Sequence, residues 1–161
     1  MVVILMGVSG SGKTTLGRKL ADELGWSFYE GDDFHSAASI AKMSQGIPLT
    51  DEDRRPWLAS LSALLDRVIE KGENAVLACS ALKAAYRQVL RDDHGGVVFV
   101  YLKADPRLIA ERLEHRAGHY AKRDLLPSQL ATLEEPESAV TVDVSGAPGE
   151  IVTAIRKRLG I

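Results

Sequence analysis

Apolar residues along this chain fall into two rhythms. The first is the continuous run: Val2-Val3-Ile4-Leu5-Met6 is apolar throughout and stops at Gly7, the pattern of a strand buried on both faces. Ala75 to Cys79 and Val97 to Leu102 repeat it, Trp26 to Tyr29 is a shorter version, and Ala139 to Val144 alternates as a strand nearer an edge would. The second rhythm is helical. Leu16, Leu20 and Leu24 form one stripe, and Leu61, Leu64, Leu65, Val68 and Ile69 form another. Asp105-Pro106 and Ala147-Pro148 each open a further helical segment, because proline at the first helical position has no N–H to leave unpaired. Strand and helix alternating in this way predict an α/β fold, a five-stranded parallel sheet with helices on both faces. Ligands of such sheets bind at the carboxyl ends of the strands.

Composition narrows the class. With 161 residues, 45% hydrophobic and 26% charged, the chain suits one domain over residues 1–161. The formal charge of −2 lacks the basic excess of a nucleic-acid binder, so no nucleic acid is expected as partner. Cys79 is the only cysteine, which excludes an internal disulfide and fits a small buried core residue in a reducing cytoplasm. The apolar run at the N-terminus has no basic lead-in and is far too short to span a bilayer, so neither secretion nor a membrane partner is expected.

The strongest chemical signal follows the first strand. Gly7-Val8-Ser9-Gly10-Ser11-Gly12-Lys13-Thr14 matches G-x-x-x-x-G-K-[ST] between a strand and a helix, where the P-loop motif belongs. Its glycines let backbone N–H groups close on phosphate, and the next helix presents its positive end there. Gly7, Ser9, Gly10, Ser11, Gly12, Lys13, Thr14 and Thr15 are the candidate nucleotide contacts, with Lys13 on the β- and γ-phosphates and the Thr14 hydroxyl on Mg²⁺. The only asparagine, Asn74, precedes Ala75, so the guanine-reading Asn-Lys-x-Asp is missing and a signalling GTPase is excluded. The third strand runs into Ser80 rather than an acidic residue, which disfavours a motor ATPase.

An acceptor side is legible as well. Glu30-Gly31-Asp32-Asp33-Phe34-His35 lies at the end of the second strand, where a carboxylate can take a proton from an acceptor hydroxyl. If the strand persists, Glu30 and Asp32 share a face. Asp32 is the candidate base and Glu30 the candidate for the metal's water shell, against the alternative of a solvated turn capping a helix. Arg54 and Arg55 follow Thr50-Asp51-Glu52-Asp53 at a helix start, where cations are unfavourable unless carboxylates or an anionic substrate compensate. After the third strand Ser80 is a plausible helix N-cap, with Lys83 and Arg87 on one face, either at the acceptor or as solvated surface. Arg112 and Arg116 begin the densest basic stretch, reaching Arg123, with Gly118 as a possible hinge. It reads either as a lid closing over triphosphate or as an exposed helix end.

Taken with Lys42-Met43, Gly46 to Leu58, Cys79 to Lys83, Tyr86-Arg87, Gly118-His119-Tyr120, Leu125 to Leu130 and Leu133 to Pro136, these blocks resemble the bacterial-type gluconokinase family, relatives of shikimate kinase. The resemblance covers nearly the whole chain. It implies a three-layer P-loop kinase fold with a helical lid at about residues 112–127, and ATP- and Mg²⁺-dependent phosphorylation of D-gluconate to 6-phosphogluconate by a cytoplasmic homodimer. By position it makes Lys13, Asp32 and Arg116 catalytic. It makes Asp32, His35, Lys42, Arg54, Lys83, Arg87 and His119 substrate contacts, assigns Lys122 to the lid with Arg112, and sets the purine against the segment holding Pro148. The family often reads His-Pro-x-x-Asn after the acidic cluster. Here Ser36 and Ser39 stand in those places, a departure that bears on the shape of the next helix and on substrate affinity. Shikimate kinases usually carry three glycines where this chain has Cys79-Ser80-Ala81. A nucleotide-binding regulatory module is the alternative from another class, and it would have no use for a base.

Overall fold

A computed structural model describes residues 1–91, 95–115 and 125–161. The strands are β1 (Val2–Met6), β2 (Ser27–Glu30), β3 (Ala75–Ala78), β4 (Val97–Lys103) and β5 (Val140–Asp143). They form one sheet in the order β2-β3-β1-β4-β5, with every neighbouring pair parallel. All of β1 is buried, as its unbroken apolar run requires, and β5 is an edge.

Helices cover both faces. Val3 and Leu5 pack on α1 (Lys13–Leu24) and on the last helix, α7 (Pro148–Leu159), through Leu16, Leu20, Val152 and Ile155. On the other face Val2, Ile4 and Met6 meet α3 (Asp51–Glu70) and α4 (Ala84–Arg91) through Trp57, Leu61, Leu65 and Leu90. Shorter helices α2 (Ala37–Ser44), α5 (Pro106–Glu114) and α6 (Leu126–Thr132) surround the carboxyl ends of the strands. Among the described residues no helix is long and apolar enough to cross a membrane.

Helix starts follow local chemistry. Thr50 Oγ1 accepts from the Asp53 N–H while Asp53 accepts from the Thr50 N–H, a capping box, and Asp105 caps α5 ahead of Pro106. Ser36 caps α2 by accepting from the Ser39 N–H at 3.1 Å, so the two serines supply that helix's start between them.

Two expectations shift. The strand predicted from Trp26 begins at Ser27, because the Trp26 N–H donates to Ala21 O at the end of α1. Ser80 is not a helix N-cap: α4 starts at Ala84, whose N–H donates to Glu134 Oε2 at 2.6 Å, and Ser80 O instead accepts from the Gly7 N–H.

Candidate active site

β1 is flanked by β3 and β4, so the loop leaving Met6 emerges at the sheet's switch point. Gly10 has φ +83°, and a Cβ there would lie 2.8 Å from Ile109 Cγ2, so both conformation and space call for glycine. Gly12, also left-handed, precedes α1 without any side-chain cap, and the first turn of α1 has no acidic residue. The N–H groups that Ser36, Thr50 and Asp105 satisfy elsewhere are thus left for an anion. Lys13 folds back over the loop, its Nζ donating to Gly7 O at 3.0 Å and Val8 O at 2.9 Å.

The P-loop walls off two cavities. On one side Gly10, Ser11, Gly12 and Thr15 border a space of about 380 Å³ completed by Arg112 and Pro148. Arg112 is steadied there by donating to Val144 O at 2.5 Å. The other side is a cleft of about 440 Å³ that receives Ser9, Lys13, Asp32, His35 and Arg54. Thr14 Oγ1 donates to Glu30 Oε2 at 2.6 Å, an arrangement that leaves the threonine lone pairs available to a cation. Burial pushes the Glu30 carboxyl above the usual range, with the Thr14 hydrogen bond opposing it.

Asp32 reaches the cleft by a turn rather than a strand. β2 ends at Glu30 and a 3-10 turn, Gly31–Phe34, follows, so the shared strand face expected for Glu30 and Asp32 does not form. A Cβ on Gly31 would lie 2.6 Å from Ala78 O, so the absence of a side chain lets this turn close on the end of β3. Trp57 Nε1 donates to Gly31 O at 2.7 Å and stacks its ring on His35 at 4.6 Å between centroids. His35 Nε2 lies 3.9 Å from Asp32 Oδ1, and only 5% of the His35 side chain is exposed. Burial lowers the His35 pKa, with Asp32 working against that and Arg54 adding to it, which favours the neutral ring. Arg54 donates to the Tyr86 hydroxyl at 3.1 Å, and that hydroxyl donates to Asp51.

Other candidates are engaged elsewhere. Lys42 pairs with Asp53 at 2.9 Å, and Lys83 with Asp51 at 2.8 Å, neither bordering the cleft. Arg87 donates to Ala81 O and Leu82 O at 2.9 and 3.0 Å, clamping a turn in which Ala81 takes φ +43°. None of these three cations borders the cleft. Arg116, Gly118, His119 and Lys122 lie outside the described residues. Trp57 and Gln129 border the cleft without having been singled out from sequence. Neither carries a signal of its own, since a tryptophan on an apolar stripe reads as core and a glutamine in a short helix as surface.

Comparisons with known proteins identify the family and the fold. A family model described as an AAA domain matches residues 2–136. The gluconokinase of Gluconobacter oxydans is 49% identical over 145 residues, covering 89% of this chain and 82% of that protein. The crystal structure of a gluconokinase from Sinorhizobium meliloti superposes with a TM-score of 0.85 at 45% identity, over 98% of this chain and 92% of that one. An APS kinase of Mycobacterium tuberculosis, solved with AMPPNP and APS, shares the fold at 18% identity, with a TM-score of 0.75 over 99% of this chain and 97% of its own.

Proposed function

This chain belongs to the gluconokinase family of P-loop kinases, and on that premise we propose that it phosphorylates D-gluconate on its terminal hydroxyl, using ATP and releasing ADP and 6-phosphogluconate. The observation that carries the reading is the P-loop standing between two cavities, with Lys13 and the Asp32 carboxylate together on the acceptor side.

Asp32, 54% exposed at its side chain, is placed to take the hydroxyl proton. The acceptor oxygen then bonds to the γ-phosphorus, while the bond from that phosphorus to the bridging oxygen breaks and its electron pair leaves with ADP. Lys13, released from its two carbonyls, neutralises charge on the transferring group. The proposed reading calls for Mg²⁺ with the nucleotide, which would supply positive charge to offset that of the phosphates. Thr14 would hold it, with Glu30 orienting the threonine hydroxyl and the ion's water. Arg54 and His35 face the cleft as the groups to meet the carboxylate and hydroxyls of the sugar acid. Arg112 and Pro148 border the nucleotide cavity, and the resemblance assigns Arg116 and His119 to the closing segment. The reading carries with it a cytoplasmic homodimer.

The test is Mg²⁺-dependent ADP release from ATP with D-gluconate, shikimate and nucleoside monophosphates in parallel. Turnover with gluconate alone is expected. Turnover on another acceptor would refute the substrate, and ATP binding without turnover on any acceptor would favour a regulatory module.

A further inference from the structure

Ser9 is where the P-loop turns from the nucleotide cavity to the acceptor cleft, and at that residue the loop is held from outside. Gln129 on α6 accepts from the Ser9 N–H through Oε1 at 2.7 Å and donates from Nε2 to Ser9 Oγ at 3.1 Å. A carboxamide offers acceptor and donor in one uncharged plane, so a single side chain fixes both the backbone and the hydroxyl of Ser9. The holder is itself anchored. Leu126 of α6 packs with Val8, Leu82 and Ile109, and just beyond the helix the Glu134 N–H donates to Leu82 O at 2.9 Å.

The geometry points to Gln129 as a positioning residue for phosphoryl transfer: acting through Ser9, it sets the acceptor-side edge of the P-loop, where the γ-phosphoryl group must meet the acceptor hydroxyl. This inference rests on the kinase reading above. Gln129 also borders the acceptor cleft, so its carboxamide restrains that edge from the side where the reaction occurs. In-line transfer tolerates little displacement, and a misplacement of about 1 Å can cost on the order of 100-fold in rate. Ser9, expected from sequence as a nucleotide contact, borders the acceptor cleft instead, with its N–H taken by Gln129, and the N–H groups from Gly10 to Thr14 have no bond to Gln129, so loss of the clamp falls on turnover and leaves the affinity for ADP in place.

Four variants test it: Gln129→Ala, Gln129→Glu, Ser9→Ala and the double Ser9→Ala/Gln129→Ala. Each is assayed for gluconate-dependent ADP release, ADP affinity by calorimetry and thermal midpoint. In Gln129→Ala, kcat is expected to fall by about 10-fold or more while the ADP Kd stays within about threefold of the wild type. Ser9→Ala falls less, because the amide bond survives, and the double variant is no slower than Gln129→Ala, since the two residues act as one unit. Gln129→Glu keeps an acceptor for the Ser9 N–H but loses the donor and brings a carboxylate beside the phosphates, so it does not restore turnover. A kcat for Gln129→Ala within about twofold of the wild type would overturn the inference. So would losses that add in the double variant, or ADP affinity falling in step with kcat. Wild-type protein inert toward gluconate would instead overturn the kinase reading itself.

Discussion

Thr14 and Glu30 meet across 2.6 Å, joining the first turn of α1 to the last residue of β2 through a proton that the threonine donates. The contact orients the hydroxyl that, on the proposed reading, would hold Mg²⁺. Outer partners of metal ligands typically contribute about 10- to 100-fold in metal affinity or activity, and Glu30→Ala is expected to raise the Mg²⁺ concentration for half-maximal turnover by that amount. A Mg²⁺ titration at saturating ATP and gluconate checks it, and an unchanged midpoint would remove Glu30 from the metal's surroundings.

Arg54 is the cation of α3 that borders the cleft, held by Tyr86 while Tyr86 is held by Asp51. Hydrogen bonds to charged groups contribute about 1.5–3 kcal/mol, so Arg54→Ala should raise the KM for gluconate by about 10- to 100-fold. The KM for ATP should stay near wild type. Tyr86→Phe, which frees the arginine without removing it, should give a smaller rise, and steady-state kinetics on both variants decide the point.

How much of this was visible in the chain depends on how far apart the partners lie. The sheet was legible because β1, β3 and β4 are apolar runs that only a doubly covered strand can bury, and the P-loop because its spacing is local. Asp32 and Arg54 were found as charged residues at a strand end and a helix start and His35 only through the family resemblance, and the fold does bring the three to one cleft. Lys42, Lys83 and Arg87 carry the same signal yet turn to Asp53, Asp51 and the Ala81–Leu82 carbonyls, choices set by tertiary distance. Gln129 lies in the Leu125 to Leu130 block of the resemblance, but its contact was not legible, since its partner Ser9 lies 120 positions away and an uncharged amide in a helix announces no partner.

Trp57 supports the Gly31–Phe34 turn from beneath, its indole N–H on Gly31 O and its ring under His35. Trp57→Phe leaves that buried carbonyl without its partner, at a cost of about 1–3 kcal/mol. For a domain of this size each kcal/mol lowers the thermal midpoint by about 2–4 °C. Calorimetry should show that loss together with reduced turnover, whereas an unchanged midpoint would mean that the turn is held by other contacts.

Acid sensitivity has an identifiable source in Asp53, whose carboxyl is drawn down to about 2, first by Lys42 and then by the Thr50 backbone. A carboxyl depressed in the folded state contributes stability above its unfolded pKa, and that contribution is lost as pH falls through the folded value. Removing the cation with Lys42→Met should therefore lower the urea midpoint near neutral pH. The difference from wild type should shrink as pH drops through the ordinary aspartate range toward about 2. Urea unfolding at several pH values measures it, and a difference that does not vary with pH would contradict this assignment.

The central claim is that Asp32 takes the proton of a sugar-acid hydroxyl. Asp32→Asn keeps the shape of the side chain and removes the base, so the most direct measurement is its gluconate-dependent turnover beside its affinity for ADP. The account predicts a kcat lower by about 100- to 10,000-fold with ADP binding unchanged. A variant that binds ADP normally and keeps more than about a tenth of the wild-type kcat would contradict it.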